Sequence, residues 1–298
     1  MDTSGPDRAP GTSSGSAGSA GSAARRADTP TNETGAQYHL HLTPGQIPAT
    51  VLMPGDPGRV LRMMSTWDGG EELAFHREYR SARGTYKGVP IGAISSGVGA
   101  PSLEIAAQEF AVIGGQTILR VGTCGALLAE IEPGDLIVPA AAVRRDGTGD
   151  RYLPAEHPAF ADPEVYMALV EACERLGYRY HVGIVCSVGS FYVGQERPVS
   201  GGFWQSGADG LIDDLRKAGV ACLEMECSAL FVLARLFGMR SGAVLGAVAN
   251  RVTNAFGDNG AEERAIRAAN EAVVILDDWG KRKATAGKPN FYPSLVKG

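Results

Sequence analysis

The sequence predicts an α/β fold, a layered sheet covered by helices. Two observations carry that reading. Short apolar runs such as Thr50–Pro54 and Ser241–Ala249 alternate with helical patterns of about 10 to 15 residues. No linker interrupts the alternation after Tyr38 and no internal repeat appears, so residues 37–298 read as a single domain.

Residues 1–36 are dominated by Gly, Ser, Ala, Thr and Pro. The stretch GTSSGSAGSAGSAA has little to bury, cannot offset its conformational entropy and is expected to be disordered. Thr50–Pro54 is a buried strand ending in a Gly-Asp-Pro-Gly turn. Pro90–Ser96 is a second strand. Pro101 opens a helix, where proline suits the first position, with Leu103, Ala106, Ala107 and Phe110 on one face. Thr117–Val121 is a strand followed by a Gly-Thr-Cys-Gly turn. Gly134–Ala142 and His181–Ser187 are strands; Asp162–Leu176 and Ala208–Ala218 are helices. Ala221–Met225 runs as a strand into a helix that ends near Phe237. Ser241–Ala249 is the last strand and Gly260–Trp279 the last helix.

The totals narrow the function. A net charge of -5 over 298 residues gives no electrostatic footprint for nucleic acid or a membrane surface. No apolar run approaches the ~18 residues of a membrane helix. The N-terminus lacks the basic patch and apolar core of a secretory signal. Five cysteines without a C-x-x-C pair read as reduced core thiols, so a cytoplasmic protein is expected.

Four segments sit where strands end, the place at which open α/β sheets bind ligands. Gly55-Asp56-Pro57-Gly58-Arg59 offers helix-start amides and a guanidinium to an anion; a solvated surface turn is the alternative. Arg120 lies inside the apolar run TILRVG, ahead of Thr123, Cys124 and Gly125. A permanent cation there needs a partner, which is either a site ligand or an internal carboxylate such as Asp135 or Glu226. Phe191, Gln195 and Arg197 in FYVGQER combine a stacking ring with donors and an acceptor that suit a pyrimidine amide edge; a polar loop with a packed aromatic is the alternative. Glu224-Met225-Glu226 places two carboxylates at a strand-to-helix junction. They either accept from vicinal hydroxyls or complement the helix dipole. His39-Leu40-His41 puts two histidines on one face of a strand, yet no third ligand follows and H-E-x-x-H is absent, which argues against a metal. The Gly97–Ser102 turn lacks the third glycine of a dinucleotide fingerprint.

In this order GDPGR, HRE, GVGAPS, RVGTCG, FYVGQER, EMECSAL and the Asn250-Arg251 pair resemble the uridine phosphorylase branch of the nucleoside phosphorylase family. The resemblance spans the chain from about Tyr38 to the last helix. It implies a three-layer α/β/α fold with a central mixed, partly barrel-like sheet. It implies a pentosyltransferase that cleaves a pyrimidine nucleoside with inorganic phosphate, a co-substrate, and needs no other cofactor. Gly55, Arg59, Arg120 and Thr123 match phosphate positions, and Arg77 matches an arginine reaching the phosphate of a neighbouring subunit. His39 matches a histidine that crosses the same interface to the ribose 5′-hydroxyl. Met225 and Glu226 match ribose positions. Phe191, Gln195, Arg197 and Arg251 match the base pocket, which Cys124, Gly125 and Glu224 complete. Glu78, Val98 and Ser102 match positions that hold a monovalent cation, such as potassium, in some members.

The resemblance also implies a homo-oligomer, a dimer at least and a hexamer of three dimers, because His39 and Arg77 would act in trans. Arg120, Thr123, Gln195, Arg197 and Glu226 are the expected catalytic set. Departures fall near the base: Cys124 stands where threonine is common, Leu223 where an aromatic is common, and Gly201–Asp214 does not match. A purine phosphorylase, weakened by Asn250-Arg251 in place of an aspartate, is a rival. So is a nucleosidase, which has no use for three arginines. A non-catalytic nucleoside-binding protein is a third.

Overall fold

The structure, a computed structural model, describes residues 26–297. Of the expected tail, 1–25 lies outside the described residues. The boundary at 36 is corrected: residues 26–36 take a defined course. The Asn32 side chain accepts from the Thr34 and Ala36 amides at 2.9 and 3.0 Å, Thr31 bridges Gln37, and Ala36 is buried. The Gly/Ser composition gives way there to residues that make an Asx turn.

Ten strands form one mixed sheet. They are β1 (Thr50–Met53), β2 (Gly69–His76), β3 (Tyr79–Tyr86), β4 (Val89–Ile94), β5 (Thr117–Ala126), β6 (Leu136–Arg145), β7 (Ala159–Phe160), β8 (Tyr180–Val188), β9 (Val220–Glu224) and β10 (Arg240–Asn250). Five of them close on themselves. β10 pairs with β6, β6 with β8, β8 with β9, β9 with β5, and β5 with β10 again. From this ring the sheet continues through β1, β4, β3 and β2, and the short β7 joins β6.

Six helices cover the sheet: α1 (Pro57–Met64), α2 (Ala100–Val112), α3 (Pro163–Leu176), α4 (Leu211–Lys217), α5 (Cys227–Leu236) and α6 (Ala261–Ala286). Alternate strand residues serve opposite layers, as the two-residue strand period requires. Val51, Met53 and Ile118 pack with Leu103 and Phe110 of α2 and Leu230 of α5. Leu52, Leu119 and Val121 pack with Val60 of α1, Leu169 of α3 and Ile275 of α6. The expected three-layer arrangement with a barrel-like core is therefore present.

The elements differ from the sequence reading in three places. First, the Gly-Thr-Cys-Gly segment is no turn: β5 runs on through it, with Gly122 opposite Leu245 and Cys124 opposite Ala247. Space around Gly122 is tight: a Cβ would lie 2.8 Å from Leu245 Cδ2, so that side chain would have to shift. Second, His39 and His41 share no strand. They lie in a turn, with His41 at φ 55° stacked on His76 at 4.2 Å between centroids. Third, β2 and β3, which the sequence reading does not include, form a hairpin with His76-Arg77-Glu78 at its tip and Arg77 at φ 55°. That hairpin escapes the pattern because the first half of β2, Gly69–Glu72, is exposed and carries no apolar alternation. Among the described residues no helix is long and apolar enough to cross a membrane.

Candidate active site

A cavity of about 300 Å³ opens where β1 ends and along the second half of β5. Gly55, Asp56 and Arg59 line one side. Arg120, Gly122, Thr123, Cys124 and Gly125 from β5 form the floor. Met225, Glu224 and Glu226 follow from the β9–α5 junction, and Phe191, Gln195 and Arg197 come from the loop after β8. The parallel register of β1 and β5, Met53 against Arg120, brings the first two groups together. The closure of the ring by β9 against β5, Leu223 against Gly125, brings in the third.

Two buried arginines, Arg59 and Arg120, line this cavity. Asp56 starts α1 by accepting from Gly58 N at 2.8 Å, which places Arg59 over the end of β5. Arg59 is 6% exposed. Its Nη1 donates to Val121 O at 3.0 Å and its Nη2 pairs with Glu262 at 2.7 Å. Arg120 is 4% exposed and its Nη2 donates to Glu226, with Glu224 3.7 Å from its Nε. Both alternatives raised for Arg120 thus apply: it has an internal partner and it faces a cavity. What remains is decisive. Arg59 Nε and Arg120 Nε and Nη1 are buried without a hydrogen-bond partner among the described residues. Unmet buried donors on cations are costly, and an anion in the cavity removes that cost. Burial disfavours the Arg120 charge, yet Glu226, followed by Cys227 and Glu224, outweighs it and holds its pKa above the ordinary value.

The two carboxylates divide their work. Glu226 Oε1 accepts from Gly99 N at 2.6 Å, which leaves its carboxylate at the cavity beside Arg120. Glu224 lines the wall, but its Oε2 accepts from the Glu226 and Cys227 amides at 2.8 and 2.9 Å and its Oε1 from Ser187. It holds the amides at the start of α5 while remaining part of the cavity lining, where it was expected. Burial pushes its pKa up, against the pull of Arg120.

At the far end Gln195 is 4% exposed and its Oε1 accepts from Arg197. Arg197 lies 3.9 Å above the Phe191 ring and donates to Phe191 O at 2.9 Å. Arg251 does not line the cavity; it braces this loop by donating to Gln195 O at 2.9 Å. Burial and the neighbouring Arg251 charge together lower the Arg197 pKa. Neither Arg197 nor Arg251 pairs with a carboxylate among the described residues, so this end of the cavity is short of negative charge.

Four expected site residues lie elsewhere in the chain. His39 is held by Glu109, with Nδ1 2.7 Å from its carboxylate and the Leu40 amide donating to it at 2.8 Å. Arg77 lies over the Tyr38 ring at 5.8 Å. Neither lines the cavity of its own chain. Of the cation positions, Ser102 donates to Glu78 at 3.0 Å, while Val98 stands apart on the cavity wall, 76% exposed. The Glu78 carboxyl is held low by its own backbone amide, against some burial, with help from Ser102.

The sequence reading missed Val248, Ala249, Phe256 and Glu262 at the site. Phe256, 88% exposed, stands at the mouth on the segment after β10. No local pattern distinguishes these residues, because only the tertiary fold delivers them.

Known proteins resemble this chain throughout that region. The family model of the phosphorylase superfamily matches residues 49–278. A uridine phosphorylase of Thermococcus kodakarensis is 50% identical over 269 residues, covering 90% of this chain and 97% of the relative. One from Escherichia coli is 37% identical over 246 residues, 80% and 97% of the two chains. A guanosine phosphorylase of Halorubrum lacusprofundi is 36% identical over 253 residues, 80% and 99%. The crystal structure of a uridine phosphorylase from Vibrio fischeri superposes with a TM-score of 0.71 at 33% identity, covering 82% of this chain and 98% of that one.

Proposed function

The chain belongs to the phosphorylase superfamily, and from that premise we propose that it cleaves uridine with inorganic phosphate, giving uracil and ribose 1-phosphate in nucleoside salvage. The observation that carries this is the set of unpartnered donors on Arg59 and Arg120, buried in one cavity with Glu226. Phosphate satisfies them, assisted by Thr123 and the Gly55 turn. Glu226 accepts from the ribose hydroxyls beside it, next to Met225. Gln195 and Arg197 take the uracil edge against Phe191.

The reaction needs no covalent enzyme intermediate. A phosphate oxygen attacks C1′ as the C1′–N1 bond breaks, and the bonding pair leaves with uracil. The ribose passes through an oxocarbenium-like state, as in glycoside hydrolysis. The arginines hold the nucleophile in place and compensate its charge. The charge-poor base end favours the departing uracil anion. That interaction grows only as the bond breaks, so it lowers the barrier.

The relatives agree on phosphorolysis and differ in base. The 50% identical relative is named for uridine and the guanosine enzyme is more distant. The test is uracil release from uridine with and without phosphate, beside guanosine and thymidine. Release that requires phosphate and yields ribose 1-phosphate is expected. Release in its absence points to a hydrolase, and faster release of guanine moves the base assignment to purines.

The position of His39 and Arg77 away from their own cavity supports a shared site. A dimer is the smallest unit that completes it, and a hexamer of three dimers is the assembly we favour, in the cytoplasm. Glu78 and Ser102 are candidate monovalent-cation ligands at that contact. Arg77→Ala and Glu226→Ala subunits, each inactive alone, are expected to regain about a quarter of wild-type activity when co-assembled from equal amounts, because half of the pairs are mixed and each holds one intact site. Mixed assemblies that stay inactive refute the trans assignment.

A further inference from the structure

Acidic residues in the first turn of a helix ordinarily complement its dipole. α6 begins with two. Glu263 fits that description, facing outward to the exposed Arg267 at 2.9 Å. Glu262 does not. Its Oε1 reaches inward to Arg59 Nη2 at 2.7 Å, and its Oε2 accepts from Arg62. Its own amide donates to Asp258 Oδ1 at 3.0 Å, which fixes the helix start.

The consequence falls on Arg59. Val121 O holds Nη1 and Glu262 holds Nη2, so both ends of the guanidinium are pinned. The plane can no longer turn, and Nε is left buried and unpartnered in a residue that lines the cavity. We infer that Glu262 is a positioning residue for phosphate: it acts through Arg59 and sets which donors Arg59 presents. This rests on the phosphorolysis reading above. A carboxylate beside an anion site repels the anion, so the two effects of Glu262 oppose each other. Pinning wins because a free arginine would have to order its side chain at the moment of binding, and pre-organisation removes that cost.

The experiment is steady-state phosphorolysis of uridine against varied phosphate, for wild type, Glu262→Ala and Glu262→Gln. Glu262→Ala is expected to raise the phosphate KM by about tenfold. Its uridine KM and kcat at saturating phosphate should stay within about threefold. Glu262→Gln keeps an acceptor for Arg59 Nη2 and should recover most of the loss. An unchanged or lowered phosphate KM in Glu262→Ala overturns the inference, since charge repulsion then dominates. Equal losses for both substrates overturn it too, because a merely structural residue does that. If wild type itself shows no phosphate requirement, the cavity reading fails instead, and the two failures are told apart in one set of assays.

Discussion

Arg120→Ala is expected to lower kcat/KM for phosphate-dependent cleavage by about 10³-fold, the loss typical of a preorganised donor facing developing or reacting charge. It is also expected to destabilise the protein. Arg120 is the counter-ion of a buried carboxylate, Glu226, and lies 3.7 Å from a second, Glu224. Removing one partner of a buried pair costs about 3 kcal/mol, which is about 5 °C in the unfolding midpoint for a chain of this size. The pH dependence separates the two losses. The Glu224 carboxyl is already raised above its ordinary 4.5 by burial, despite Arg120. Deleting Arg120 raises it further. A carboxylate with a raised folded pKa favours the folded state below the ordinary value, and that favour is lost as pH rises through the raised one. The stability deficit of the variant should therefore shrink in mild acid, while activity does not return. Thermal unfolding across pH 4 to 8, beside initial rates, reads both (about the span in which carboxylates titrate). A deficit independent of pH would mean that the carboxylates do not depend on Arg120.

What the sequence shows of this site follows from where its residues lie. Gly55, Arg59, Arg120 and Glu226 sit at or near strand ends beside apolar runs, so their types and positions stand out. A charge inside TILRVG or beside CLEME has no ordinary surface explanation. β5 was cut short because Gly122, Thr123, Cys124 and Gly125 have the composition of a turn. Their extended conformation is imposed by pairing with β10 and by the space around Gly122. The closure of the ring depends on two residue pairs between β5 and β9, a long-range event that leaves no local signature. Glu262 reads as an ordinary helix-start acid until α6 is laid beside α1. Glu224 and Glu226 look equivalent in sequence, and only the hydrogen bonds of the α5 amides to Glu224 separate cap from site. His39 and Arg77 reach the site list by family resemblance alone. Nothing in their spacing indicates a role at a ligand site.

Arg197→Ala is expected to lower kcat by about 10²-fold while leaving the phosphate KM within about threefold. Burial and Arg251 both depress the Arg197 pKa, so two like charges are held close with no carboxylate to offset them. Phe191 supports the guanidinium at 3.9 Å, and Gln195 and the Phe191 carbonyl fix its plane. Such a cation is relieved by an anion, and uracil becomes one only as the C1′–N1 bond breaks. The stabilisation therefore belongs to the transition state more than to bound uridine. That difference can be measured with leaving groups. A 5-fluorouridine base carries its negative charge more readily and depends less on help. The loss caused by Arg197→Ala should be smaller for 5-fluorouridine than for uridine, and the Phe191→Ala loss should be similar for both, because stacking is already present in the ground state. If Arg197→Ala penalises the two substrates equally, with the change in KM rather than kcat, Arg197 binds the base without assisting its departure, and stabilisation of the leaving group must be sought elsewhere in the cavity.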